Sequence, residues 1–131
     1  MAKSALHKKG TEIRRKLLGD AYADKLDKTV YAHPIMQKFA DVTREAIFGT
    51  LWTRGVLDLK TRTMITVISD TTTGSTPELK LHLRMALNHG WTEDELAEAI
   101  LHLNGYVGAP TVREALLTAC EVFAEIKAEK K

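Results

Sequence analysis

Apolar positions recur along the chain with the spacing of helix faces. In residues 11–18, Ile13, Leu17 and Leu18 fall on one side, and the segment stops near Gly19; Tyr22 and Leu26 continue a short second piece. Pro34 suits a first helical turn, where its missing N–H would be unbonded anyway, and Ile35, Phe39, Val42, Ala46 and Ile47 follow at helical intervals. That helix is predicted to end near Gly49 or Leu51. Asp58 is a good N-cap for a segment carrying Thr61, Met64, Ile65, Val67 and Ile68. Its β-branched content makes a buried strand the competing reading, but the spacing fits a helix better than alternation. The polar tract 70–77 then either breaks this helix or bends it into the next.

Pro77 can start a helix over residues 78–88, with Leu79, Leu83, Ala86 and Leu87 inward and Gly90 at its end. Thr92 and Glu95 form a capping box, with Trp91 and Leu96 in the hydrophobic-staple positions. The next helix turns Leu96, Ile100 and Leu103 inward and closes at Gly105. Thr111 and Glu114 read as a second capping box just after Pro110, opening a last helix with the stripe Ala115, Ala119, Val122 and Ile126. Its lysine-rich end, residues 127–131, complements the helix dipole. No tandem repeat or low-complexity tract appears. The pattern predicts an all-α fold, an orthogonal or bundle-like arrangement of about six helices in one domain, 1–131.

Composition narrows this reading. A chain of 131 residues with 44% apolar and 27% charged residues is globular, which excludes disorder, collagen-like repeats and coiled-coil bias. Lys plus Arg minus Asp plus Glu is 19 − 17 = +2. Only Lys8, Lys9, Arg14, Arg15 and Lys16 crowd together, which reads as a solvated basic helix face, so no nucleic-acid partner is expected. The one cysteine, Cys120, rules out an intramolecular disulfide, a CxxC pair and a thiolate zinc cluster, and reads as core filler. The start of the chain lacks the apolar core of a signal peptide, and no apolar run approaches the roughly 18 residues of a membrane span. A cytoplasmic protein without membrane association is expected.

Candidate chemistry is sparse. The histidines His7, His33, His82, His89 and His102 show no metal-binding spacing, so no metal is expected. Glu78 precedes His82 by four residues, which puts carboxylate and imidazole on one helix face. Such a pair serves either as a helix-stabilising contact or as an acid–base pair in which the carboxylate orients the imidazole. Its place beside the tract 70–77 and among Leu79, Leu81 and Leu83 favours the second use. His102 and Tyr106 form another i, i+4 pair, either simply buried with backbone partners or lining a pocket. Trp52 and Arg54 flank a turn, where the arginine could hold a substrate carboxylate under the indole or make only a surface ion pair. GxGxxG, P-loop, GxSxG and DxDxG motifs do not occur.

In order along the chain stand the stretch from Leu51-Trp52-Thr53-Arg54-Gly55 to Arg62, the stretch from Glu78-Leu79-Lys80-Leu81-His82 to Gly90, Thr92-Glu93-Asp94-Glu95, and Tyr106-Val107-Gly108-Ala109-Pro110. With the segment Arg14 to Asp20, these motifs make nearly the whole chain resemble the carboxymuconolactone decarboxylase family. The resemblance implies an all-α alkylhydroperoxidase D-like fold, assembled as a homotrimer or homohexamer with sites near subunit contacts. The peroxidase branch of that group uses Cys-x-x-Cys-x-x-x-His with an upstream Glu; here Ser75 and Glu78 take the cysteine positions and Thr63 the Glu position, so a thiol peroxidase is not expected. The decarboxylase branch keeps Glu-x-x-x-His, here Glu78 and His82, and its best-known reaction removes CO₂ from 4-carboxymuconolactone in aromatic catabolism. Two departures are visible: the tract 70–76 replaces an apolar alanine- and leucine-rich segment, and His102 stands where glutamine is common.

The resulting expectation is a cofactor-independent decarboxylase, or a related lyase or isomerase, acting on a lactone or small unsaturated carboxylic acid. His82 would donate the proton, Glu78 would orient it or act as a second acid–base group, Arg54 would anchor a carboxylate, and Trp52, His102 and Tyr106 would line the pocket. The alternative, motivated by the polar tract, is a non-catalytic small-molecule-binding or assembly protein of the same fold. Apolar stripes with Phe39, Phe48, Trp52, Ile100 and Phe123, which lack an obvious internal partner, add a physical reason to expect a homo-oligomer.

Overall fold

A computed structural model describes residues 3–130. Among them are seven α-helices and no strand: α1 (Ala5–Leu18), α2 (Asp20–Lys28), α3 (Pro34–Thr43), α4 (Leu59–Thr73), α5 (Thr76–Asn88), α6 (Glu93–His102) and α7 (Ala109–Glu129). A π-helical turn, Arg44–Phe48, prolongs α3, and a 3₁₀ turn, Leu103–Gly105, comes after α6. The chain divides into two compact units, Met1–Asp58 and Leu59–Lys131.

In the first unit α1 begins six residues before the predicted start, because the Ser4 hydroxyl accepts the His7 N–H at 3.0 Å and caps it. Gly19, at φ +86°, separates α1 from α2. α1 packs against the π-helical turn at a distance only glycine permits. A β-carbon on Gly10 would lie 1.8 Å from the Arg44 carbonyl oxygen, and one on Gly49 would lie 2.3 Å from that of Leu6.

The π turn also corrects the predicted stripe. Gly49 N–H bonds to the Arg44 carbonyl at 2.8 Å and Trp52 N–H to the Ile47 carbonyl at 3.2 Å, each a five-residue step. One extra residue in the turn rotates the residues beyond it by roughly 100°. Phe48 and Trp52 therefore turn inward, while Ile35, Phe39, Val42 and Ile47 stand exposed. The expectation that Phe48, Trp52 and Ile100 lack partners within the chain is overturned: all three are buried, and Phe123 packs against the core of the second unit. Of the basic crowd, Arg14 is buried and Arg15 is held by Asp20 and Asp24, each at 2.9 Å. Those bonds, that of Asp24 foremost, raise the pKa of Arg15 above the usual arginine value.

The second unit centres on Val67, Leu79, Leu83, Ala86, Leu96, Ile100, Val112, Ala115, Ala119 and Val122. Complete burial of such an aliphatic side chain contributes about 1.5–3 kcal/mol. Thr92 and Glu95 form the predicted capping box, and its bond from the Thr92 backbone N–H holds the Glu95 carboxyl below the usual range. The second predicted box does not form. α7 starts at Ala109 behind Gly108, at φ +95°, which puts Thr111 inside the first turn. Cys120 is exposed on α7 and is not core filler. Arg84, buried on α5, donates to both carboxylate oxygens of Glu129 at 2.8 and 3.0 Å.

α4 departs most from the expected pattern. Its buried residues are Thr63, Val67, Asp70 and Thr71, whereas Ile65 is exposed. The tract from Asp70 does break the helix as expected, but only at Gly74 and Ser75, so its first four residues stay helical. Thr71, Thr72 and Thr73 donate their hydroxyls to the carbonyls of Val67, Ile68 and Ser69 at 2.8–3.0 Å, so these polar side chains satisfy themselves within the helix. α4 ends at Thr73, before Gly74 at φ +70°.

Candidate active site

Because α4 continues through Thr73, Asp70 falls on the inward stripe begun by Thr63 and Val67, at positions i, i+4 and i+7. α5, which opens at Thr76 with Pro77 in its first turn, packs against α4 and turns His82 toward it. His82 Nδ1 meets Asp70 Oδ2 in a hydrogen bond. The two side chains are only 14% and 12% exposed, so the bond is largely shielded from water. Since a carboxylate can only accept, Nδ1 is the donor, and this fixes the tautomer that leaves Nε2 free to take or, when protonated, give a proton.

The predicted partner does something else. Glu78 is exposed on the first turn of α5, and among the described residues no hydrogen bond or ion pair joins it to His82. Glu78 faces solvent, whereas His82 is drawn inward by Asp70. Sequence reasoning misses Asp70 because it lies in the tract 70–77, whose composition suggests a break or bend. The available signal is the continuation of the Thr63–Val67 stripe by one more step.

The other predicted residues fall into separate settings. His102 and Tyr106 do come together, with ring centroids 5.4 Å apart, but both are exposed, Tyr106 at 76%. His102 also borders a cavity of about 500 Å³ shared with Met64, Trp91, Glu95 and Glu98. Its Trp91 wall is fixed by a 2.8 Å bond from the indole N–H to the Lys60 carbonyl, with Lys60 Nζ 4.5 Å from the ring centroid. In the first unit Trp52 is buried and stacks on Phe48 at 5.7 Å, and Arg54 stands exposed in the turn beyond it. The buried indole thus stacks on Phe48 instead of offering a free face. Among the described residues no group of three or more His, Cys, Asp or Glu is placed to hold a metal ion, and no helix is long and apolar enough to cross a membrane.

Residues 37–121, which include Asp70 and His82, match the Carboxymuconolactone decarboxylase family. The chain belongs to that family. Its fold is accordingly of the alkylhydroperoxidase D type, as the all-α architecture agrees. The chain is similar to 4-carboxymuconolactone decarboxylase of Acinetobacter baylyi, with 32% identity over 120 residues that cover 92% of this chain and 88% of the relative. It is also similar to the nitrosuccinic acid decarboxylase of Metarhizium robertsii, with 34% identity over 112 residues, 86% of this chain and 77% of the relative. Within this carboxymuconolactone decarboxylase family chain, the His82–Asp70 pair joins α4 to α5 and is largely shielded from water.

Proposed function

We propose that the chain is a cofactor-independent decarboxylase of a small carboxylic acid whose carboxylate sits next to an electron acceptor, with His82 as the proton donor and Asp70 as the group that orients it. The observation that carries this reading is the shielded His82–Asp70 bond. The relatives' names support the substrate class. A carboxymuconolactone can pass the electron pair left by CO₂ into an unsaturated lactone carbonyl, and nitrosuccinic acid can pass it into a nitro group. In either case the C–C bond to the carboxylate breaks, CO₂ leaves, and the electron pair rests on an oxygen of the acceptor. Protonation at carbon by His82 Nε2–H returns the pair to a C–H bond, and the imidazole regains its proton from water. Arg54 supplied by a neighbouring copy serves as carboxylate anchor, with Glu78 as a second acid–base group and His102 and Tyr106 as pocket wall.

The exposed apolar face of α3, with Ile35, Phe39 and Val42 at 51–67% exposure, supports assembly into a trimer or hexamer, since a second copy would cover it. Mass measurement in solution is expected to give a multiple of three chains. The polar tract that motivates a non-catalytic binder supplies Asp70, which favours chemistry instead. Incubation with 4-carboxymuconolactone and with nitrosuccinic acid, monitoring CO₂ release, tests the assignment. Turnover lowered by about 10²- to 10⁴-fold in His82→Ala is expected; saturable binding without turnover would establish the binder.

A further inference from the structure

Two surfaces of opposite charge take no part in the proposed proton transfer. In the second unit, the cavity bounded by α4 and α6 has half-buried Met64, Trp91 and Ala99 as its apolar floor, with exposed Asp94, Glu95 and Glu98 around it. Neither Asp70 nor His82 lines it. Glu95 gives one oxygen to the Thr92 N–H at 2.9 Å, and Lys60, over the Trp91 ring, offsets one of the three carboxylates. Asp94 and Glu98 make no hydrogen bond or ion pair among the described residues. The helix dipole accounts for acidic residues in the first turn of α6, but Glu98 lies beyond that turn.

In the first unit, α1 presents Leu6, Lys8, Lys9 and Glu12 along a shallow hollow, and Leu6 is 45% exposed. Lys16 continues the face of Lys9 and Glu12 at helical spacing. Lys8, Lys9 and Lys16 form no ion pair among the described residues, so three lysines against one glutamate leave this face with an excess of positive charge. The groove on α6 carries the opposite excess. We propose that the α6 groove of one copy receives the α1 face of a second copy, with Leu6 on Met64 and Trp91 and with Lys8 and Lys9 against Asp94 and Glu98. The lysine stems then lie along apolar surface while their ammonium groups reach the carboxylates, and the opposed charges set the register of the contact. At about 30 Å³ per water-sized group, the groove of about 500 Å³ admits roughly sixteen such groups, enough for the Leu6 side chain and two lysine stems. Each copy offers one groove and one α1, so the contact is head-to-tail and a ring of three copies leaves neither surface unused. The inference rests on the assembly reading above and adds to it the surfaces that meet.

The test mixes ordinary and heavy-nitrogen-labelled full-length protein, joins touching lysines and carboxylates with a carbodiimide, and reads the linked peptides by mass spectrometry. Links of mixed label between Lys8 or Lys9 and Asp94 or Glu98 are expected, and the mixed label shows that they join two chains. Sedimentation of charge-reversed variants gives a second readout. Lys8→Glu with Lys9→Glu should weaken association at least about tenfold, and so should Asp94→Lys with Glu98→Lys. A chain carrying all four changes restores opposite charges across the contact and should regain association. An assembly that lacks the mixed-label links, that stays intact in both double variants, or that the fourfold variant fails to restore would overturn this contact while leaving the trimer or hexamer standing. A single-chain mass for the unaltered protein would overturn both.

Discussion

Each unit of the molecule contains an imidazole bonded to an aspartate, and the two pairs differ in what surrounds the carboxylate. In the first unit His7 Nε2 lies 3.0 Å from Asp41 Oδ1, but Asp41 is 41% exposed and gives its other oxygen to Lys3. In the second, His82 faces Asp70 with both side chains nearly withdrawn from water and with no lysine or arginine paired to Asp70 among the described residues. His7 is the more buried imidazole, yet its carboxylate is shared and solvated, so the pair ties the start of α1 to α3. The Asp70 side chain meets one ring nitrogen, and that contact is largely shielded from water. The two pairs thus share their residue types and differ in the exclusivity and shielding of the carboxyl group.

The largest expected effect separates the pairs by function. His82→Ala should lower kcat for decarboxylation by about 10²- to 10⁴-fold, while His7→Gln should leave it within about twofold once folding is confirmed by circular dichroism. Equal losses in both variants would erase the distinction. Next comes Asp70→Asn, which keeps the shape but cannot hold the same tautomer. We expect kcat to fall by roughly 10- to 100-fold with KM little changed and the pH–rate profile displaced. An unchanged pH–rate profile would reduce Asp70 to a packing residue. Gly10→Ala probes the frame of the first pair. The added methyl meets the Arg44 carbonyl and should cost about 1–3 kcal/mol in a denaturant titration.

The smallest effect concerns Asp41. Its hydrogen bonds with Lys3, and to a lesser extent with His7, hold its carboxyl below the ordinary value of 3.8. A depressed folded-state pKa stabilises the protein above that value and loses the contribution as pH falls through the lower one, so the effect is confined to acid below pH 3.8. Lys3→Ala should move the carboxyl signal of Asp41 toward the ordinary titration range in an NMR pH series, with a stability change near the detection limit because the pair is exposed. No movement would show that Lys3 adds nothing to the pair.

Much of the helical plan is legible along the chain, for physical reasons that are local. Pro34 and Pro77 in first turns, and the Thr92–Glu95 box, depend on groups within a few residues of one another, and all three stand where the pattern puts them. The stripes of α5, α6 and α7 are also readable, since Leu83, Ile100 and Val122 have no alternative to burial. The register of the segment after α3 is not readable. A π turn is favoured by the fit of α1 through Gly10 and Gly49, and a single extra residue reverses which aromatics face inward.

His82 can be singled out from the sequence by its type and position, but its partner cannot. Glu78 is nearer along the chain, and spacing on one helix considers only neighbours on that helix. Asp70 becomes the partner because threonine hydroxyls bonded to their own helix let a polar tract remain helical, and because packing of α4 on α5 brings its inward carboxylate to Nδ1. The amino-acid sequence by itself determined which segments are helical and which imidazole stands out; the tertiary structure decided which carboxyl group meets it, since a hydrogen bond between helices depends on their packing and not on distance along the chain.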